Sequence, residues 1–96
     1  MKTKEELREE MVQQGFTVIN EYDDEPNEFF AEHNHPGDQL LIVLEGSIEI
    51  TMSGSTILLE PGDQLFFPAG VMHSATVGPK GCLYLDGERP NVTESE

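Results

Sequence analysis

A chain of 96 residues with 36% apolar and 25% charged side chains has the size and composition of one soluble globular domain, with no room for a second core. Its 19 Asp and Glu against 5 Lys and Arg give a formal charge of −14, which repels phosphate backbones and anionic membrane surfaces and argues against nucleic acid and membrane as partners. The longest apolar run, Leu40 to Leu44, falls far short of the roughly 20 residues that a membrane-spanning helix needs.

The first expected element is a short helix over residues 3–14. Thr3 can cap it, Glu6 three positions on completes a capping box, and Glu5 and Glu6 sit at the positive end of the dipole. Gly15 ends it. Its apolar stripe, Leu7 and Met11 with Val12 beside them, is too narrow for a core helix and suits docking on the flank of a larger body or on a partner subunit. The acidic stretch from Glu21 to Glu32 reads as a solvated edge; its DDEPNE segment lacks the ligand spacing and central glycine of a calcium loop.

Most apolar residues lie between Leu40 and Leu85. There Gly37, Gly46, Gly54, Gly62, Gly70 and Gly78 recur at a nearly constant spacing, each beside another turn former. The intervening segments LLIVL, SIEITM, TILLE, QLFF and VMHSATV are short and rich in β-branched and aromatic residues, which predicts antiparallel strands of a sandwich or barrel. Ile48 and Ile50 alternate with Glu49 and Thr51, so the isoleucines face inward. LLIVL is apolar on both faces and should be central, with its outer face covered by another element or subunit. Phe29, Phe30, Phe66, Phe67 and Tyr84 are expected in the core, and those facing inward with Met52 and Met72 would make a narrow apolar pocket. The segment from Gly87 onward is polar and expected to be loose. Within it, Asn91-Val92-Thr93 fits a glycosylation acceptor, but no secretory signal accompanies it and the match is read as coincidence. With one cysteine, Cys82, no internal disulfide can form, which points to the cytoplasm; Cys82 itself reads as a small buried hydrophobe. A core this small makes a homodimer the expected assembly.

The chemistry sits in three histidines. His33 and His35 differ by two, so in extended chain both rings leave the same face, and Gln39 shares their parity. Pro36 holds His35 out of the helical region. His73 follows the Pro68-Ala69-Gly70 turn, where Val71, His73 and Ala75 would share a face. Three neutral imidazoles from two strands can hold a divalent ion and leave positions open, as catalytic metal sites do. On spacing alone, three surface histidines with no joint role remain the alternative.

The segment HNHPGDQLLIVLEG resembles the first signature of the cupin family, H-x-H, three or four residues, Glu, six residues, Gly. Gln39 stands at the Glu position and Gly46 at the closing Gly. Gly62, Pro68, Gly70 and His73 match the second signature, with Val77 where its Asn would be. This resemblance implies an all-β fold, a double-stranded β-helix or jelly-roll barrel with a short N-terminal helix. The division it suggests is an N-terminal helical extension over 1–15, the barrel over 16–87 and a flexible tail over 88–96.

It further implies a mononuclear metal site with His33, His35 and His73 as ligands and Gln39 as a candidate fourth. The alternative for Gln39 is a hydrogen bond to a bound water or a ligating ring. A glutamine carbonyl leaves the full charge on the ion and donates more weakly than a carboxylate. Iron, nickel, zinc, manganese and copper all suit such a set. The expected function is binding or conversion of a small, partly apolar molecule at one divalent transition metal, by dioxygenase-like or other metal-assisted chemistry. The other reading is a non-catalytic sensor that binds metal or ligand, favoured by the lack of an evident general acid or base beyond the ligands. A barrel without metal, serving only as a scaffold, is the weakest option given three intact histidines.

Overall fold

A computed structural model describes residues 2–90, and the elements run in the order α1 (Lys4–Gln13), β1 (Val18–Asp24), β2 (Phe29–His33), β3 (Asp38–Met52), β4 (Ser55–Leu59), β5 (Gln64–Phe67) and β6 (His73–Arg89). The helix forms as its sequence predicts. The Glu6 amide donates to Oγ1 of Thr3 at 3.1 Å, and the Thr3 amide donates to the Glu6 carboxylate at 2.9 Å, so two otherwise orphaned N–H groups are satisfied reciprocally.

All strand pairs are antiparallel. The two long strands, β3 and β6, form the spine and pair from Asp38↔Arg89 to Met52↔His73. Each is flanked by two shorter strands: β1 and β2 lie on successive halves of β6, and β5 and β4 on successive halves of β3. The inner cluster joins both halves, since Leu41, Val43 and Tyr84 pack with Ile48, Ile50, Ala75 and Val77. The sheet is therefore folded on itself as a double-stranded β-helix, and Ile48 and Ile50 face inward as their alternation requires.

The glycine ruler is right in period and only partly right in meaning. At Gly46 the chain does not reverse. β3 continues through it with φ +78°, and the register with β6 shifts on either side. A Cβ there would lie 2.1 Å from the Gly81 carbonyl oxygen, so Gly46 lets two backbones meet where the spine bends. On the opposite strand, residues 78–81 face only Ser47, an excursion inside β6 rather than a hairpin. Sequence spacing cannot separate these cases, because a bulge and a turn both select glycine.

LLIVL is apolar on both faces for the reason expected. Leu41 and Val43 enter the inner cluster, while Leu40 and Ile42 join Leu85 in a second cluster covered by Leu7, Met11 and Phe16. The covering element is α1, docked on the barrel flank. Val12, expected on the same stripe, is 57% exposed, as a helix that buries only one residue per turn dictates. Phe29 and Phe66 are likewise exposed instead of buried, as is Met72.

The expected loose tail also needs correction. Gly87, Glu88 and Arg89 are paired strand residues on β6. A Cβ at Gly87 would meet the Met11 side chain at 2.5 Å, so this glycine makes room for the helix. Arg89 is anchored three ways: Nε donates to Asp38 at 3.1 Å, Nη1 donates to the Gln14 carbonyl at 2.7 Å, and its guanidinium lies over the Phe16 ring. The remainder of the tail, including Asn91-Val92-Thr93, lies outside the described residues.

Candidate metal centre

The three histidines converge. One ring nitrogen from each of His33, His35 and His73 lies within 4.8 Å of the others. His33 and His73 are register partners at the adjoining ends of β2 and β6, with ring centroids 4.5 Å apart. His35 lies just beyond β2, its ring 5.1 Å from that of His33 and 5.5 Å from that of His73. Shared strand parity is therefore only part of the reason the pair acts together, since β2 ends at His33 and Pro36 carries the chain onward.

The segments that bear the rings are tied to each other. The Gly70 amide donates to the His35 carbonyl at 2.8 Å, Asn34 Nδ2 donates to the Gly70 carbonyl at 3.3 Å, and the Ala69 amide donates to Asp38 Oδ1 at 2.9 Å. The turn before His73 is thus fixed against the loop that carries His35.

Each ring also meets an oxygen at Nδ1: the Ala31 carbonyl at 2.7 Å for His33, the Val71 carbonyl at 3.3 Å for His73, and the Glu88 carboxylate at 3.4 Å for His35. At His33 and His73 the Nδ1 partner is a carbonyl, which only accepts, so the proton belongs on Nδ1 and Nε2 keeps its lone pair for a metal. His73 is buried, with its ring 4.4 Å from that of Phe67. Burial holds its pKa below the ordinary imidazole value, assisted by repulsion from His33 and His35 and opposed by the Val71 carbonyl. Neutral imidazole, the form that ligates, is favoured.

The rings line a cavity of about 170 Å³ whose walls include Phe30, Ile48, Phe67 and Ala75. Gln39 belongs to the same wall and is only 6% exposed. Its Nε2 donates to Asp86 Oδ1 at 2.7 Å, whereas its Oε1 is buried with no hydrogen-bond partner. A buried acceptor without a donor is costly, and a cation in the cavity would satisfy it. Three imidazoles and an amide oxygen suit a borderline divalent transition metal, so the residues present fit the group.

Two wall residues carry chemistry that the sequence reading left unassigned. Asp86 faces the cavity because it pairs with Leu41, and burial raises its carboxyl pKa despite the bond from Gln39. Tyr84 donates to Asp24 Oδ2 at 2.6 Å, and burial together with that bond pushes its phenol upward. Asp86 is one of two acids in β6, and the β3–β6 register, not the residue type, shows that it and Tyr84 reach the site. Cys82 is buried and its thiol is pushed up to about 11, by burial first and then by Asp24 and Asp23, which fits the inert role expected of it.

Comparisons with known proteins agree with this architecture. The model of the Cupin domain family matches residues 20–87. A cupin superfamily protein from Desulfitobacterium hafniense DCB-2 superposes with a TM-score of 0.71 at 27% identity, covering 76% of this chain and 66% of that one. A cupin-like protein from Thermotoga maritima MSB8 superposes with a TM-score of 0.68 at 26% identity, covering 74% and 55%. Among curated proteins, acireductone dioxygenase 1 of Coprinopsis cinerea is 36% identical over 62 residues, 58% of this chain. The match spans only 35% of that relative's own length. The family match over most of the chain, joined to the folded six-stranded sheet, places this protein in the cupin domain family.

Proposed function

We propose that this protein holds one divalent transition metal through His33, His35 and His73, with Gln39 as a fourth donor, and uses it to bind and convert a small, partly apolar molecule. The observation that carries the reading is the convergence of three ring nitrogens within 4.8 Å at the wall of a cavity. An ion held there would supply Lewis acidity and open positions for a substrate oxygen or nitrogen and, if iron, redox chemistry with dioxygen.

The chain's own groups divide the remaining work. Phe30, Ile48, Ile50 and Phe67 exclude water and receive an apolar body. Asp86, a carboxyl of raised affinity for protons, is placed to accept or return one at the cavity wall. Among the described residues no Lys or Arg lines the cavity, which disfavours phosphorylated substrates. The likeness to a dioxygenase covers part of that protein and supports dioxygenase-like conversion as the first activity to test. The sensor reading rested on the lack of an acid or base beyond the ligands, and Asp86 weakens that argument. In this proposal the protein acts in the cytoplasm as a homodimer, which would add burial to a small core.

The test begins with metal analysis and titration of protein purified without a histidine tag. About one ion per chain is expected in the wild type and little in His73→Ala; no uptake by the wild type would end the proposal. Oxygen consumption by iron-loaded protein is then measured with diketones, thiols and catechols. Turnover supports conversion, and silence across the panel moves the sensor reading ahead.

A further inference from the structure

We infer that Asp86 is the positioning residue of Gln39, fixing which end of its amide is presented at the cavity. The inference concerns the same site as the proposed function and rests on it for the role of Gln39 as a donor.

Gln39 has one oxygen and one nitrogen of nearly equal size, and rotation of the amide by half a turn exchanges them. Only the oxygen has a lone pair for a metal. In the observed orientation Nε2 donates to Asp86 Oδ1 at 2.7 Å and Oε1 is left free. The reversed orientation would set amide oxygen against carboxylate oxygen at the same short distance, lone pair against lone pair. An ionised carboxylate only accepts, so in that form Asp86 permits one orientation and forbids the other, and a cation in the cavity favours that form.

The strand register explains why an acid stands there. Gln39 pairs directly with Glu88, and Leu41 pairs with Asp86, so the two acids leave the same side of β6 two positions apart. Glu88 lies against the ring of His35, and Asp86 takes the amide of Gln39. Where the family signature has an acidic ligand, this chain has a neutral one with an acid directly behind it. The two functions of a glutamate, donor atom and negative charge, are divided between Gln39 and Asp86.

The experiment is a double-mutant cycle on the full chain, read by nickel-ion affinity and by NMR of the Gln39 side-chain amide in metal-free protein. In the wild type the Nε2 protons should be resolved and protected from exchange; in Asp86→Asn that protection should fall, because an amide at position 86 can donate as well as accept and so admits both orientations of Gln39. Nickel affinity should fall about 10- to 100-fold in Asp86→Asn. In the Gln39→Glu background the same substitution should instead raise affinity, because it relieves carboxylate facing carboxylate and lets the amide at position 86 donate to the acid at position 39. An equal loss in both backgrounds, or unchanged amide protection in Asp86→Asn, overturns the inference. Both substitutions are nearly isosteric, and unfolding curves of the metal-free variants verify folded starting material. If Asp86→Asn alone does not fold, the double variant is compared with Gln39→Glu, and higher affinity in the double variant is again the expected result. A wild type that binds no nickel, yet loses Gln39 amide protection in Asp86→Asn, would sink the proposed function and leave the orienting role of Asp86 standing.

Discussion

Asp38 and Ala69 lie 31 positions apart and are joined by a 2.9 Å hydrogen bond from the Ala69 amide to Asp38 Oδ1. The second oxygen of the same carboxylate accepts from Arg89 Nε at 3.1 Å. One half-buried side chain thus holds the turn before His73 to the strand that carries Gln39. We expect Asp38→Ala to lower stability by about 1–2 kcal/mol, the worth of one hydrogen bond and a partly exposed ion pair. Metal affinity should fall about tenfold, because the turn is released. Asp38→Asn, which keeps an acceptor for Ala69, should lose less of both. Chemical denaturation and metal titration of the three proteins check this.

The depressed His73 pKa has a sign that can be measured in metal-free protein. When the folded-state value lies below the unfolded one, added acid protonates the unfolded chain first. This contribution to stability is therefore fully present above the unfolded imidazole value of about 6.5 and is lost as pH falls from there toward the folded value. Asp86 acts oppositely: its raised value favours the folded state on acidification, in the window above the ordinary carboxylate range. Unfolding free energies of wild type and His73→Gln, compared between pH 7.5 and 5, should diverge in favour of the variant as pH drops. The metal-loaded protein should release its ion across the histidine range, since protons compete for the same three lone pairs.

Two glycines with nearly equal backbone angles should respond differently to substitution. Gly46 and Gly54 have φ of +78° and +81°, so alanine strains both. At Gly54 nothing lies within 4 Å of an added Cβ, and about 1–2 kcal/mol of backbone strain is the whole cost. At Gly46 the methyl group would collide with the Gly81 carbonyl, adding about 1–3 kcal/mol of overpacking. Melting curves of Gly46→Ala and Gly54→Ala should rank in that order, and equal losses would contradict the bulge described for β3.

Cys82 should be chemically silent in the folded state. With its thiol pushed up to about 11, almost no thiolate exists at pH 8, and burial blocks access to what there is. A thiol-specific chromogenic reagent should react slowly under native conditions and stoichiometrically in denaturant. Rapid native labelling would refute this.

The helix and the inward isoleucines were readable because each rests on local physics, a capping box and a period of two, whereas the histidine trio was legible as a joint site through its likeness to the two cupin signatures. The misread features depend on what lies across the sheet. Whether Gly46 bends a strand or ends it is decided by the Gly81 carbonyl, and Asp86 matters only because the register puts it beside Gln39. Phe29 and Phe66 look like core residues by type, yet their exposure follows from which side of a short strand faces outward. Local pattern reports the faces, and pairing determines what each face meets.

The rings of His33 and His73 are each steadied by a carbonyl two residues earlier in their own chain segment. Their aim is set in part by main chain and depends less on the apolar wall around them than a ring held by packing alone would. Phe30 or Ile48 is therefore expected to accept other apolar shapes while the donor atoms stay on target. A barrel wired this way can be retailored to new guests by changing its lining alone, which gives a physical reason for one scaffold to serve many chemistries.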